Sequence, residues 1–189
     1  AQAWRSLAAS ADGARQRRVV SWAKLRLSEA YADAGQWDEA DRLFAEILEE
    51  QTGEAAEVSQ TLMSWGKSCE ARGSWQRAEE KLQQALELAR ASAAGSLWEA
   101  SVLNQLGIVT GKKGDLPGAE RLFTAALEIK EKAIPHSPSV LDTLSNLGIV
   151  ARRRGDLAGR GAGAAGEAAG DRVSQWLFGR GMGAAGGRV

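Results

Sequence analysis

The stretch Leu103 to Lys130, LNQLGIVTGKKGDLPGAERLFTAALEIK, decides the fold. Its order of residue types predicts two short amphipathic helices folded against each other. Leu103, Leu106, Phe123 and Leu127 supply the apolar filling, and the small residues Gly107, Ala119 and Ala126 stand where two helix axes must approach closely. Gly114 ends the first helix, because glycine takes the left-handed conformation of a helix end without steric cost.

One hairpin of this size cannot bury both of its apolar faces, so recurrence of the pattern is the deciding question. Upstream it returns as Leu62, Trp65-Gly66, Gly73-Ser74-Trp75, Ala78, Leu82 and Ala85-Leu86. It returns again as Leu27, Tyr31, Gly35-Gln36-Trp37, Ala40, Phe44 and Ile47-Leu48, and a fourth copy begins with Leu144, Leu147-Gly148 and Gly155-Asp156-Leu157. The anchor glycines Gly35, Gly73, Gly114 and Gly155 recur at about forty residues.

This order resembles the tetratricopeptide repeat, whose motif runs large apolar residue, Leu-Gly, Tyr, Ala, Phe, Ala. The repeat here is longer than the usual ~34 residues. Its spacing and the segment ALEIKEKAIPHSPSVLDTLSNLGIV are most similar to the kinesin light chain type of repeat. The fold expected is all-α, an α-solenoid of antiparallel helical hairpins, and the resemblance implies a right-handed superhelix.

Three regions follow. Residues 1–16 read as an N-terminal helix or cap that stops at Ala11-Asp12-Gly13, and residues 17–157 as an array of about three and a half repeats. Ser74, Ser96, Asp115 and Ser137 are predicted N-caps, and Pro117 fits a first turn. Residues 158–189 form a Gly/Ala/Arg-rich tail. Ten of the 22 glycines lie between Gly159 and Gly187, and each glycine inside a helix costs about 1 kcal/mol relative to alanine. The positions held in repeat three by Ala119, Leu122, Phe123, Ala126 and Leu127 are here Arg160, Gly163, Ala164, Glu167 and Ala168. The tail is therefore expected to be disordered, with Val173, Trp176, Leu177 and Phe178 its only cluster able to cover the first helix of repeat four.

The chain carries 24 basic and 24 acidic residues in 189. That balance gives no reason to expect nucleic acid or a charged membrane as partner. No apolar run approaches the ~20 residues needed to span a bilayer. One cysteine, Cys69, excludes an internal disulfide and fits a cytoplasmic protein. Its place in a first helix predicts a small buried hydrophobe. His136 is the only histidine and falls in the Pro-rich linker before repeat four. With no second His or Cys there is no nucleophile and base pair and no soft metal site, so no catalytic residue, cofactor or metal is expected. Gly161 to Gly166 satisfies GxGxxG, but no strand precedes it. Of the seven tryptophans, Trp65 takes a core position, and Trp37 and Trp75 open second helices.

The function expected is protein binding. In tetratricopeptide arrays the first helices line the concave face, where peptides bind, and the resemblance implies the same here. Counting from the core leucines, the candidates on that face are Lys67, Asn104, Ile108, Lys112, Asn146, Arg152 and Arg153. Asparagine offers donor and acceptor together to a peptide backbone, and the cations pair with carboxylates. With few facing carboxylates, such a groove favours an acidic peptide. A different class of role, the regulatory or sensor segment of a larger enzyme or signalling ATPase, is the alternative.

Overall fold

The computed structural model describes residues 2–50, 55–135 and 137–159, and the side chains of residues 13 and 15–155 within that span. The described residues form seven helices and no strand. These are α1 (Gln2–Asp33), α2 (Trp37–Glu50), α3 (Ala55–Ala71), α4 (Trp75–Ala93), α5 (Leu97–Lys112), α6 (Leu116–Ala133) and α7 (Pro138–Gly159). Helices 97–112 and 116–133 confirm the hairpin read from Leu103 to Lys130. Of the tail expected to be disordered, residues 158 and 159 close α7, and the remainder, like His136, lies outside the described residues. The chain divides into two compact units, Ala1–Ser92 and Ala93–Val189.

In the first unit α1 pairs with α2, and α3 with α4. The turns at Gly35 (φ 74°) and Gly73 (φ 78°) are left-handed, as the sequence predicts. The amide of Gln36 donates to the Tyr31 carbonyl at 2.9 Å, and that of Ser74 to Cys69 at 2.8 Å, which satisfies carbonyls that the helix ends leave open. Ala40, Phe44 and Ile47 of α2 are completely buried, at i, i+4 and i+7. Phe44 stacks on Trp65 with ring centroids 5.8 Å apart. Gly66 lets α4 close in, since a Cβ there would stand 2.7 Å from Leu82 Cγ.

The second unit repeats the arrangement with α5 against α6, and α7 packed on both. The Ser96 side chain accepts from the Glu99 amide, and Asp115 Oδ1 accepts from the Gly118 amide at 2.8 Å. Both are the predicted N-caps, and Pro117 sits in the first turn of α6. Ser137 Oγ takes the Val140 amide at 3.4 Å. A Cβ on Gly107 would meet the Phe123 ring at 2.7 Å, the counterpart of Gly66 on Leu82. Leu116, Ala119, Phe123 and Val150 form one buried cluster, with Ile108 and Leu147 packed on it.

Three expectations are corrected. The helix stop at Ala11-Asp12-Gly13 does not occur: α1 continues through Gly13 to Asp33. Alanine, arginine and glutamine around Gly13 are strong helix formers and outweigh one glycine. Gly155, read as the stop of repeat four, lies inside α7, which continues to Gly159. Leu27, read as a core residue, is 46% exposed, because α1 buries Leu25, Ser28 and Ala32 instead.

Candidate functional site

Positions counted back from the anchor glycines place side chains from successive first helices on equivalent ground. Glu29, Lys67, Ile108 and Ile149 each stand six residues before Gly35, Gly73, Gly114 and Gly155. Asp33, Ala71, Lys112 and Arg153 each stand two before. Each helix turns one face outward, so most of these positions vary without disturbing the packed ones, Ile108 being the one that also packs on the buried cluster.

In the first unit this register builds a cleft of ≈ 360 Å³ lined by Glu29, Ala32 and Asp33 of α1, Ser64, Lys67, Ser68 and Ala71 of α3, and Phe44 of α2. Ser64 Oγ donates to Glu29 Oε1 at 2.8 Å, and Arg26 pairs with the other oxygen of that carboxylate at 2.7 Å. Ser68 is buried, and its hydroxyl has no hydrogen-bond partner among the described residues. Lys67, predicted on this face, is exposed and lines the cleft. Further toward the N-terminus a second hollow of ≈ 230 Å³ runs past Arg18, Trp22, Leu25, Glu57 and Gln60. Trp22 is 59% exposed there, and the Arg26 guanidinium lies 5.8 Å from its ring.

The carboxylates Glu29 and Asp33 were missed in the sequence reading, which expected few acids on this face. That expectation is corrected for the first unit. The signal was present: Glu29 holds in repeat one the position that Lys67 holds in repeat two.

In the second unit the structure brings Asn104 and Asn146 together. Asn146 Nδ2 donates to Asn104 Oδ1 at 3.3 Å, and Thr143 Oγ1 lies 3.2 Å from the same oxygen. Thr143 in turn accepts from Lys130 Nζ at 2.8 Å. Part of the asparagine polarity therefore joins α5 to α7, and the Asn104 amide nitrogen and Asn146 carbonyl oxygen remain for other contacts. Lys130 is 4% exposed, and burial pushes its ammonium below the usual lysine range, against a weaker opposing pull from Asp142.

Lys112 lies exposed in the last turn of α5, and Arg152 and Arg153 lie exposed on α7. The two arginines are not equivalent. Arg153 shares the register of Lys112, and Arg152 that of Gly111. Gly111 faces α6, where a Cβ would meet Ala119 Cβ at 3.4 Å. Arg154 pairs with Glu120 of α6. The outward face thus carries Lys112, Asn146, Ile149 and Arg153, with Ile108 half-buried at its edge and Asp142 exposed one turn before Asn146 on α7. Ile149 is 43% exposed.

Among the described residues no helix is long and apolar enough to cross a membrane. Cys69 is completely buried, as read from the sequence, and its sulfur lies 3.3 Å from Arg72 Nη2.

Comparison with known proteins adds the family. The sequence matches the tetratricopeptide repeat over residues 57–132 and again over 98–158, together more than half of the chain. Among solved structures it is similar to BtubC (BKLC) from P. vanneervenii, with a TM-score of 0.68 and 22% identity over 92% of this chain and 69% of that one. It is also similar to the kinesin light chain nearly identical TPR-like repeats of Podosopora anserina, with a TM-score of 0.57 and 15% identity over 84% of this chain and 87% of that one. No curated protein matches it. At these identities the likeness is one of fold.

Proposed function

The chain belongs to the tetratricopeptide repeat family, and we propose that it is a protein-binding scaffold whose first-helix faces hold peptide segments of a partner, in the manner of a kinesin light chain-type cargo adaptor. Lys67, Asn104, Lys112, Asn146, Arg152 and Arg153 are the residues we assign to that role. Within the second unit the assignment centres on Lys112, Asn146 and Arg153, with Ile108 and Ile149 beside them, and it favours an acidic segment that also carries apolar side chains. The observation that carries this reading is the exposed register of α5 and α7, where two cations, Lys112 and Arg153, and an exposed isoleucine, Ile149, stand on a packed support. Rigid helices hold these groups before any ligand arrives, which lowers the ordering cost of binding. A buried lone cysteine supports a reducing, cytoplasmic setting.

The test is fluorescence anisotropy of the full chain with a labelled peptide of Glu, Leu and Ala. Binding is expected, and Lys112→Glu with Arg153→Glu should weaken it by roughly tenfold or more. Circular dichroism should show unchanged helicity in that variant, since both side chains are exposed. An acidic peptide that does not bind, or that binds the double variant equally well, sinks the proposal.

A further inference from the structure

We propose that the cleft between α1 and α3 in the first unit is a second subsite, opposite in preference to the second unit, and that it takes a basic side chain, Lys or Arg, of the partner protein. The inference rests on the reading of the first-helix faces as peptide-binding. It names what one of those faces reads.

The cleft is built for a long side chain with a donor at its tip. Phe44, Ala32 and Ala71 supply an apolar lining, which suits the methylene stem of lysine or arginine. Beyond it stand two carboxylates, Glu29 and Asp33, one helical turn apart on α1. Glu29 is held in place by Ser64 at 2.8 Å and by Arg26 at 2.7 Å. Asp33 is exposed and makes no ion pair among the described residues. It is the acid free to receive an incoming cation.

The second observation is independent of the acids. Ser68 is 5% exposed, so its hydroxyl is shielded from water, yet that hydroxyl finds no partner among the described residues. A buried polar group without a partner loses the free energy of its lost hydration. The equivalent positions in α5 and α7 are Val109 and Val150, so packing alone does not call for a hydroxyl here. A guanidinium or ammonium that enters the cleft brings several N–H donors, and the Ser68 oxygen has lone pairs to accept one. Asp33 lines the same cleft.

Two cations also face this space, and both set limits. Arg26 is occupied with Glu29. Lys67 lines the cleft and opposes a second positive charge, but it is exposed, and its flexible stem lets the ammonium turn to solvent. Lys67 is therefore the residue whose removal should tighten binding. The cleft volume of ≈ 360 Å³ accommodates one long side chain with Lys67 displaced.

The experiment uses the full chain and two labelled peptides, one of Arg, Leu and Ala and one of Glu, Leu and Ala. The basic peptide should bind, and Asp33→Lys should weaken it by about tenfold while sparing the acidic peptide. Ser68→Ala should weaken the basic peptide alone, by a few-fold. Lys67→Ala should tighten it. Acidic binding without basic binding overturns this subsite and leaves the proposed function standing. Basic binding that ignores Asp33→Lys and Ser68→Ala also overturns it, because the peptide then sits elsewhere. Failure of both peptides overturns the subsite and the proposed function together.

Discussion

Lys130 places an ammonium group where α6 meets α7, with Nζ 2.8 Å from Thr143 Oγ1 and 3.2 Å from the Ser139 carbonyl. Burial lowers its pKa below 10.5 in the folded chain, so near that range the unfolded chain binds the proton more tightly. Stability should then rise as pH climbs toward 10.5, and Lys130→Met should remove that rise. Lys24 has the opposite sign. Hydrogen bonds to Glu46 and Glu50 hold its pKa above 10.5, so its contribution is complete below that value and is lost as pH rises past it. The effect is accordingly read as the difference between urea titrations of the two proteins from pH 8 to pH 10.5, and equal slopes would refute it. Neither role was legible from periodicity, and Asp41 shows why. It accepts from Trp65 Nε1, 24 residues away, and from Arg72, 31 residues away. A core aromatic such as Phe44 advertises itself by helical spacing, whereas a polar pair across helices has no spacing to read.

Helix ends and helix contacts follow different rules, and the two glycines Gly114 and Gly155 separate them. Gly114 has φ 98° and closes α5, while Gly155 lies inside α7. Gly114→Ala should cost about 1–2 kcal/mol, because a side chain in the left-handed region clashes with the backbone. Gly155→Ala should instead stabilise by about 0.5–1 kcal/mol, since alanine loses less chain entropy in a helix. Urea titration of both variants checks the pair, and destabilisation by Gly155→Ala would show that α7 ends there after all. The hairpins were legible in the sequence because each true stop is followed by a second helix with an apolar face, as Ala119 and Phe123 follow Gly114. After Gly155 the corresponding positions are Arg160 and Ala164. With no such face to turn back toward, a lone glycine does not end a helix. The same logic explains Gly148. It holds the register of Gly107, yet nothing among the described residues lies within 4 Å of a Cβ placed there.

The chain as a whole divides into two compact units, Ala1–Ser92 and Ala93–Val189, and repeats of this class draw their stability chiefly from adjacent elements. Trp65→Ala removes the ring that stacks on Phe44 and should cost about 3–5 kcal/mol. Hydrogen exchange should show the loss first in α2, α3 and α4, with α5 and α6 protected longer. Uniform loss of protection would show a single cooperative unit instead. The fold was legible because packing repeats itself, with small residues at Gly66 and Gly107 opposite large ones at Leu82 and Phe123. The site was legible only in part: the cations were found, and the acids of the first unit were not, because nothing in the packing pattern constrains an outward position. That freedom has a consequence for how such a chain acquires new partners. The positions of Glu29, Lys67, Ile108 and Ile149 share one place in the repeat but carry an acid, a base and two hydrocarbons. Mutation can rewrite Glu29, Lys67 and Ile149 separately while the residues that make the hairpins stay as they are, whereas Ile108 also packs on the buried cluster of the second unit. Recognition in this protein can thus drift one side chain at a time, with foldability shielded from the change.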